Sequence, residues 1–227
     1  MSVVVKCIIM ENTGGKRLTK KDRPSPINEE IIIPDDQVLI SVTDPKGNII
    51  EANDIFIKIS GYSEDELVGS SHNIIRHPDM PKIMFKIVWD HIMDKENVMA
   101  VVKNLAKDGK YYWVVTDFVT RVDADRNIIN YTAYRRPVHD KVKQAVIPLY
   151  KALCAIEDVA GMNAAEKFLN DYFEERDLNY DDMIEDIIVK NCEKVSELGL
   201  GNHPDEEFKR MSKEKKQSIF NKLFSIK

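Results

Sequence analysis

Val98-Met99-Ala100-Val101-Val102-Lys103-Asn104-Leu105 reads as one strand and Tyr111 to Val122 as a second, with Lys107-Asp108-Gly109-Lys110 between them. Asp-Gly is the strongest short hairpin signal, because glycine accepts the positive φ that a tight turn demands. The second run is rich in β-branched and aromatic side chains, which suit a pleated, half-buried surface. Another turn, Asp123 to Asn127, leads into Ile128 to Tyr134. The spacing predicts three consecutive antiparallel strands.

Upstream of them, Val38-Leu39-Ile40-Ser41-Val42-Thr43 is strand-like. Asp44-Pro45-Lys46-Gly47 is turn chemistry, and Ile49-Ile50 begin a second strand, so a hairpin is expected. Asn53-Asp54 can cap a short helix that Gly61 stops. Ser63-Glu64-Asp65-Glu66 has the form of a capping box, opening a second short helix that ends near Gly69. Pro81 suits the first turn of a longer helix, about Lys82 to Lys95, whose Met84, Ile87, Val88 and Ile92 recur at helical spacing. Two strands, short helices, then three strands predict a five-stranded antiparallel sheet with short helices on one face, an α+β domain of about 100 residues.

Three regions follow from this. Residues 1–28 have the composition of an arm or linker, 29–138 form the α+β domain, and 139–227 read as helix throughout. The helical region carries four apolar stripes. The stripes are Val142, Ile147, Leu149, Leu153 and Ile156; Ala164, Phe168, Leu169, Tyr172 and Phe173; Met183, Ile184, Ile187, Ile188 and Val195; and Phe208, Met211, Ile219, Phe220, Leu223 and Phe224, with breaks at Gly161, Asn179 and Gly199–Asn202. They must be buried against each other, the domain, a second copy or a partner. Acidic residues from Glu157 to Asp186 read as a solvated helix face rather than a metal site, and the basic cluster from Lys209 to Lys216 as a solvated helix end rather than a contact for anionic lipid or an acidic partner.

Across 227 residues the formal net charge is -5, with 43% hydrophobic and 31% charged residues. That composition is globular, and its mildly acidic balance argues against general nucleic-acid binding. No apolar run approaches the roughly 18–20 residues of a membrane span. Met1 to Met10 lacks the features of a signal peptide. Cys7, Cys154 and Cys192 are few and far apart, so a reduced, cytoplasmic protein is expected. No hydrolase, P-loop, zinc-protease or kinase motif is present, and the chain does not read as an enzyme.

The element order and several motifs resemble a PAS domain. Thr43-Asp44, Gly47, Asn53-Asp54 and Ser60-Gly61-Tyr62-Ser63 with Glu66-Leu67 and Gly69 match the general opening of that family. His72-Asn73-Ile74-Ile75-Arg76-His77-Pro78-Asp79-Met80-Pro81 is narrower, and resembles the signature of aerotaxis-receptor-type PAS domains. Val102-Lys103-Asn104 and Lys107-Asp108-Gly109 with Tyr111-Tyr112-Trp113-Val114 continue the same pattern. The resemblance covers about half the chain, from Pro24 to Pro137. It implies FAD as cofactor, redox sensing, and signalling to chemotaxis machinery. By motif position it implies Asn53, Arg76, His77, Asp79 and Trp89 as flavin-site residues. The chain departs from the pattern at Met99, where the family often has Trp, and at Leu105-Ala106, where it often has two Arg.

The residue types suit that chemistry. Phosphates call for Arg, and an isoalloxazine ring calls for aromatics and a few amide or imidazole hydrogen bonds. Asn104 is either a flavin contact from the sheet or a polar residue at a strand end. The Arg76–Asp79 run read alone is a polar, Pro-containing connection, and Trp89 and Trp113 read alone are core or surface-strand residues. His91, on the long helix, or His77 would be the axial ligand if the domain bound haem instead; a capping or exposed histidine is the ordinary alternative. No cysteine lies between Cys7 and Cys154, so a flavin–cysteinyl photoadduct has no nucleophile in the domain. The expectation is a redox sensor acting in trans on a chemoreceptor-like or other signalling partner, with homodimerisation open. It would touch a membrane only through that partner. The alternatives are a cofactor-free dimerisation scaffold, its pocket filled by its own side chains, and a haem gas sensor.

Overall fold

The computed structural model describes residues 17–191. Most of the expected arm, Cys7, Cys192, Val195, the break at Gly199–Asn202, the fourth apolar stripe and the Lys209–Lys216 basic cluster lie outside the described residues.

The strands are β1 (Leu39–Thr43), β2 (Ile49–Ala52), β3 (Val98–Leu105), β4 (Tyr111–Val122) and β5 (Ile128–Pro137). They form one antiparallel sheet in the order β2-β1-β5-β4-β3. Alternation sorts their side chains onto two faces. One face carries Ser41 and Thr43, Tyr131, Ala133 and Arg135, Thr116 and Phe118, and Val102 and Asn104. The cross-strand register aligns them, with Ser41 opposite Ala133, Thr116 opposite Arg135, and Asn104 opposite Tyr112. The other face carries Val101, Lys103, Tyr111, Trp113 and Val115.

The short helices lie over the first face: α1 (Asp54–Ser60), α2 (Glu64–Leu67), a 3-10 turn at His72–Ile75, and α3 (Lys82–Met93). Their ends are set locally. Asn53 Oδ1 accepts from Phe56 N at 2.9 Å, and Gly61 ends α1 at φ 73°. Ser63 and Glu66 form the expected capping box.

Three longer helices follow: α4 (Asp140–Ala160), α5 (Met162–Glu174) and α6 (Tyr180–Asn191). Pro148 sits inside α4. It is exposed, as is Gln144 one turn before it, so the carbonyl that loses its helical donor faces water. The buried stripe of α4 is Val142, Val146, Tyr150, Leu153 and Glu157. The expected Ile147, Leu149 and Ile156 are only partly buried. On α5, Ala165 and Leu169 are buried, while the expected Phe168 is exposed.

The helix α4 covers the second face of the sheet, where Tyr150 stacks on Trp113 with ring centroids 6.4 Å apart. Trp113 is therefore core. The free edge of β3 is covered as well. Tyr150 donates to Val101 O at 2.8 Å and Tyr180, on α6, to Met99 O at 3.0 Å. An uncovered edge strand is a template for unwanted pairing, and these hydroxyls blunt it. Among the described residues, no helix is long and apolar enough to cross a membrane.

Candidate functional site

Between the sheet's first face and α3 lies a cavity of about 230 Å³. Its floor comes from β1, β3, β4 and β5. One wall is the row Phe85, Val88, Trp89 and Ile92 on α3, spaced at three and four residues so that they share a helix face. The exposed lining residues Lys46, Asn73 and Trp89 mark its mouth. Gly47 is part of that mouth, at a backbone conformation and a close approach that both favour glycine. Its φ is 81°, and a Cβ would lie 3.2 Å from the Trp89 ring.

The electrostatics of the lining are one-sided. Lys46, Arg76 and Arg135 contribute cations, and no carboxylate is among the lining residues. Arg135 is 2% exposed. Its Nη1 donates to Ser41 Oγ at 2.9 Å and to Ala133 O at 3.3 Å, and its Nη2 lies 2.7 Å from His72 Nε2. A guanidinium is always a donor, so His72 Nε2 accepts and the imidazole is neutral. Burial, then the neighbouring Arg135, push His72 well below its usual range. Burial also lowers Arg135 itself, to about 10, with the Tyr112 phenol pulling weakly the other way and no carboxylate in the lining to offset it. A buried charge without a counter-ion is costly and is ordinarily paired.

Two buried polar atoms of the lining are also unsatisfied. Asn104 Nδ2 and Thr116 Oγ1 have no hydrogen-bond partner among the described residues. Burial raises the Tyr112 phenol opposite; a side-chain interaction with Asn104 lowers it slightly, at a geometry short of a hydrogen bond. Such orphaned groups are rare in folded proteins and point to something that is to be bound.

The six residues expected at a flavin site divide into two sets. Arg76, Trp89 and Asn104 line the cavity, and Asn53, His77 and Asp79 do not. Arg76 lies with its guanidinium 4.5 Å from the Phe85 ring centroid and donates to Met80 O at 3.0 Å. Trp89 meets Tyr131 edge-on at 5.6 Å. The amide of Asn53 is spent on the fold: besides capping α1, it accepts from Ile40 N at 2.9 Å and donates to Val38 O at 2.8 Å.

His77 and Asp79 lie beyond the edge of β3. Arg76 bridges Asn104 there, and the chain then turns around the strand. His77 Nδ1 accepts from Asp79 N at 3.1 Å, its ring packs on Tyr111, and Asp79 pairs with Lys103 at 2.7 Å. Burial, and then Lys103, push His77 down to about 4, against a smaller opposing pull from Asp79. It is a neutral loop-holding histidine. His91 is also away from the cavity, its Nδ1 2.8 Å from Ile87 O on its own helix.

Arg135 and His72 were missed as site residues. The expected last strand stopped at Tyr134, because Arg135-Arg136-Pro137 reads as a strand end. In the structure β5 runs on to Pro137, paired with Val114–Thr116, which puts Arg135 on the cavity face. Its alternation with Tyr131 and Ala133 was the available signal.

Residues 49–135 match the family described as PAS fold. Over 121 residues the chain is 43% identical to the Aerotaxis receptor of Escherichia coli (strain K12), a stretch that is 53% of this chain and 24% of that protein. Over 100 residues it is 30% identical to the Bacterioopsin transcriptional activator of Halobacterium salinarum, covering 44% of this chain and 15% of the relative. The chain thus spans a quarter or less of the length of these two curated relatives. Among solved structures, the light state of the blue-light photoreceptor Aureochrome1 LOV is similar at TM-score 0.45 and 20% identity, over 48% of this chain and 88% of that one.

Proposed function

Residues 49–135 are a PAS domain, and from that premise we propose that the chain is a signalling protein whose cavity binds FAD noncovalently and senses its redox state. The observation that carries this reading is the cavity lining: three cations, no acid, and two orphaned polar groups. An anionic, planar ligand with a polar edge complements each of these features. The 43% identity with the Aerotaxis receptor over 121 residues supports it.

The residues fit the group. Asn104, Thr116 and Arg135 would hold the polar edge of the ring, Phe85 and Trp89 would enclose it, and Lys46 and Arg76 would face the phosphates. At about 230 Å³ the cavity is below the roughly 300–1,000 Å³ that encloses drug-sized ligands. It has room for the ring system and not for the whole dinucleotide. When bound, FAD would supply a change of charge and hydrogen-bonding pattern as it takes up electrons. Arg135, fixed by Ser41 and His72, favours negative charge beside it.

The output goes to a separate chemoreceptor-like or other signalling partner, in the cytoplasm, with a homodimer as one form of the sensor. The chain signals rather than catalyses. The cavity and its orphaned groups favour FAD over a cofactor-free scaffold, whose own side chains would fill the pocket. The positions of His77 and His91 favour FAD over haem.

The test is the absorption spectrum of purified chain reconstituted with FAD and freed of excess. Protein-bound flavin bands are expected, with FAD affinity at least about tenfold lower in Arg135→Met, a loss of about 1.4 kcal/mol. A protein that stays colourless after reconstitution sinks the proposal, and a Soret band would put haem in its place.

A further inference from the structure

The buried stripe of α4 ends on a charge. Val142, Val146, Tyr150 and Leu153 are followed, at the next core position, by Glu157, which is 7% exposed. A carboxylate in such a place needs compensation. It finds it at the start of α3. Lys82 N donates to Glu157 Oε2 at 2.9 Å, and Ile83 N donates to Oε1 at 2.8 Å.

This contact replaces something α3 cannot supply for itself. The first amides of a helix have no partner within it and are ordinarily capped by the side chain that precedes them. The capping position here is Pro81, which has no hydrogen-bonding side chain, and both Pro81 and Ile83 are buried. Water therefore does not reach Ile83 N easily, and a carboxylate 74 residues downstream does the capping instead. Its negative charge also suits the positive end of the helix dipole.

Two neighbouring contacts join the same elements. Cys154 Sγ lies 3.4 Å from Asp79 O, in the loop just before α3. Lys86, one turn into α3, pairs with Glu166 on α5 at 3.0 Å. On its opposite side α3 presents Phe85, Val88, Trp89 and Ile92 to the cavity. Burial, then Arg23, lower Arg76 in the cavity wall, and the Glu157 charge opposes them. One twelve-residue helix is thus held by the cavity on one side and by α4 and α5 on the other.

We propose that Glu157 is a latch by which α4 and α5 read the position of α3, so that cavity occupancy and docking of the C-terminal helices control each other. The coupling to occupancy rests on the FAD reading above; the latch itself does not. Linkage makes the coupling reciprocal. Whatever factor the ligand adds to docking, docking adds to ligand affinity. The route runs through α3, alongside the direct covalent path from β5 into α4.

The experiment is hydrogen exchange of the full chain, with and without FAD, for wild type, Glu157→Ala, Glu157→Gln and, as a surface control, Glu166→Gln. Exchange of the β4 and β5 amides reports whether each variant keeps its fold, and Glu157→Gln keeps the side-chain shape should the alanine variant unfold. Exchange at Lys82, Ile83 and α5 is expected to quicken about tenfold or more in the Glu157 variants, the usual worth of a charge-assisted hydrogen bond. Glu166→Gln, which loses only the half-exposed ion pair to Lys86, should leave exchange at Lys82 and Ile83 unchanged and quicken α5 far less. FAD should slow α5 exchange in wild type and less so in Glu157→Gln, and FAD affinity should fall severalfold in that variant. Unchanged exchange at Lys82, Ile83 and α5 overturns the latch. Released helices with unchanged FAD affinity overturn the coupling and leave the FAD reading standing. Should wild type bind no FAD, the sensor reading and the coupling fail together, and the exchange at Lys82 and Ile83 alone decides the latch.

Discussion

Asn104 shows how a residue can be wrong for stability and right for a site. The residue is 3% exposed, and its Nδ2 lacks a partner among the described residues. An unmet buried donor costs about 1–3 kcal/mol. Asn104→Leu should therefore stabilise the flavin-free chain by about 1 kcal/mol in urea denaturation, while FAD affinity drops at least about tenfold. A variant that is less stable when flavin-free would show that the amide is already satisfied. His77 gives a pH dependence of definite sign. Folded, it is pushed down to about 4; unfolded, it takes a proton near about 6.5. Between those values the unfolded state binds more protons, so stability falls as the pH drops from about 6.5 towards 4 and this contribution then levels off, amounting to at most about 3 kcal/mol. His72 acts with the same sign. Thermal melts across that range should show the loss, and His77→Asn, which keeps an acceptor for Asp79 N, should flatten it. An unchanged slope in that variant would assign the titration elsewhere.

At the scale of elements, the contact between β3 and the C-terminal helices is made of separable parts. Tyr150 combines a ring stacked on Trp113 with a hydroxyl bonded to Val101 O. Tyr150→Phe keeps the ring and removes only the bond, so it should destabilise the chain by about 1 kcal/mol and leave FAD affinity unchanged. Tyr180→Phe, which loses the bond to Met99 O, should behave alike. A change in flavin affinity in either variant would mean that the sheet edge, and not only α3, reports on the cavity.

The whole molecule is tied together by its N-terminal segment. Leu18 N donates to Ser70 Oγ at 2.7 Å and Arg23 to Arg76 O at 2.9 Å, beside the cavity loop. Ile27 N and Ile31 N then bond to Gly109 O and Tyr111 O on the hairpin, and Glu30 pairs with Lys143 on α4 at 2.7 Å. The described part of the expected arm is therefore a strap. It passes so close to the hairpin that a Cβ on Gly109, whose φ is 91°, would lie 2.6 Å from Ser25 O. Gly109→Ala should displace the strap and destabilise the chain by more than about 1 kcal/mol, with lost amide protection at Ile27 and Ile31. Intact protection there would contradict the tight packing of strap on hairpin.

Periodicity and turn chemistry are local, so the strands, the short helices, their caps and the α+β class were legible in the residues alone. Of the His72–Pro81 run, His72, Asn73, Ile75 and Arg76 line the cavity. Which of its side chains face the cavity was beyond local reading. The loop wraps the edge of β3, leaving Arg76 inside and carrying His77 and Asp79 around to the far side. Arg135 entered the site only because β5 pairs three residues further than its own sequence suggests. Glu157 looked like one more solvated acid until α4 brought it to a helix start that Pro81 leaves uncapped. Burial and hydrogen-bond satisfaction depend on what packs alongside, and that is decided by contacts between residues tens of positions apart.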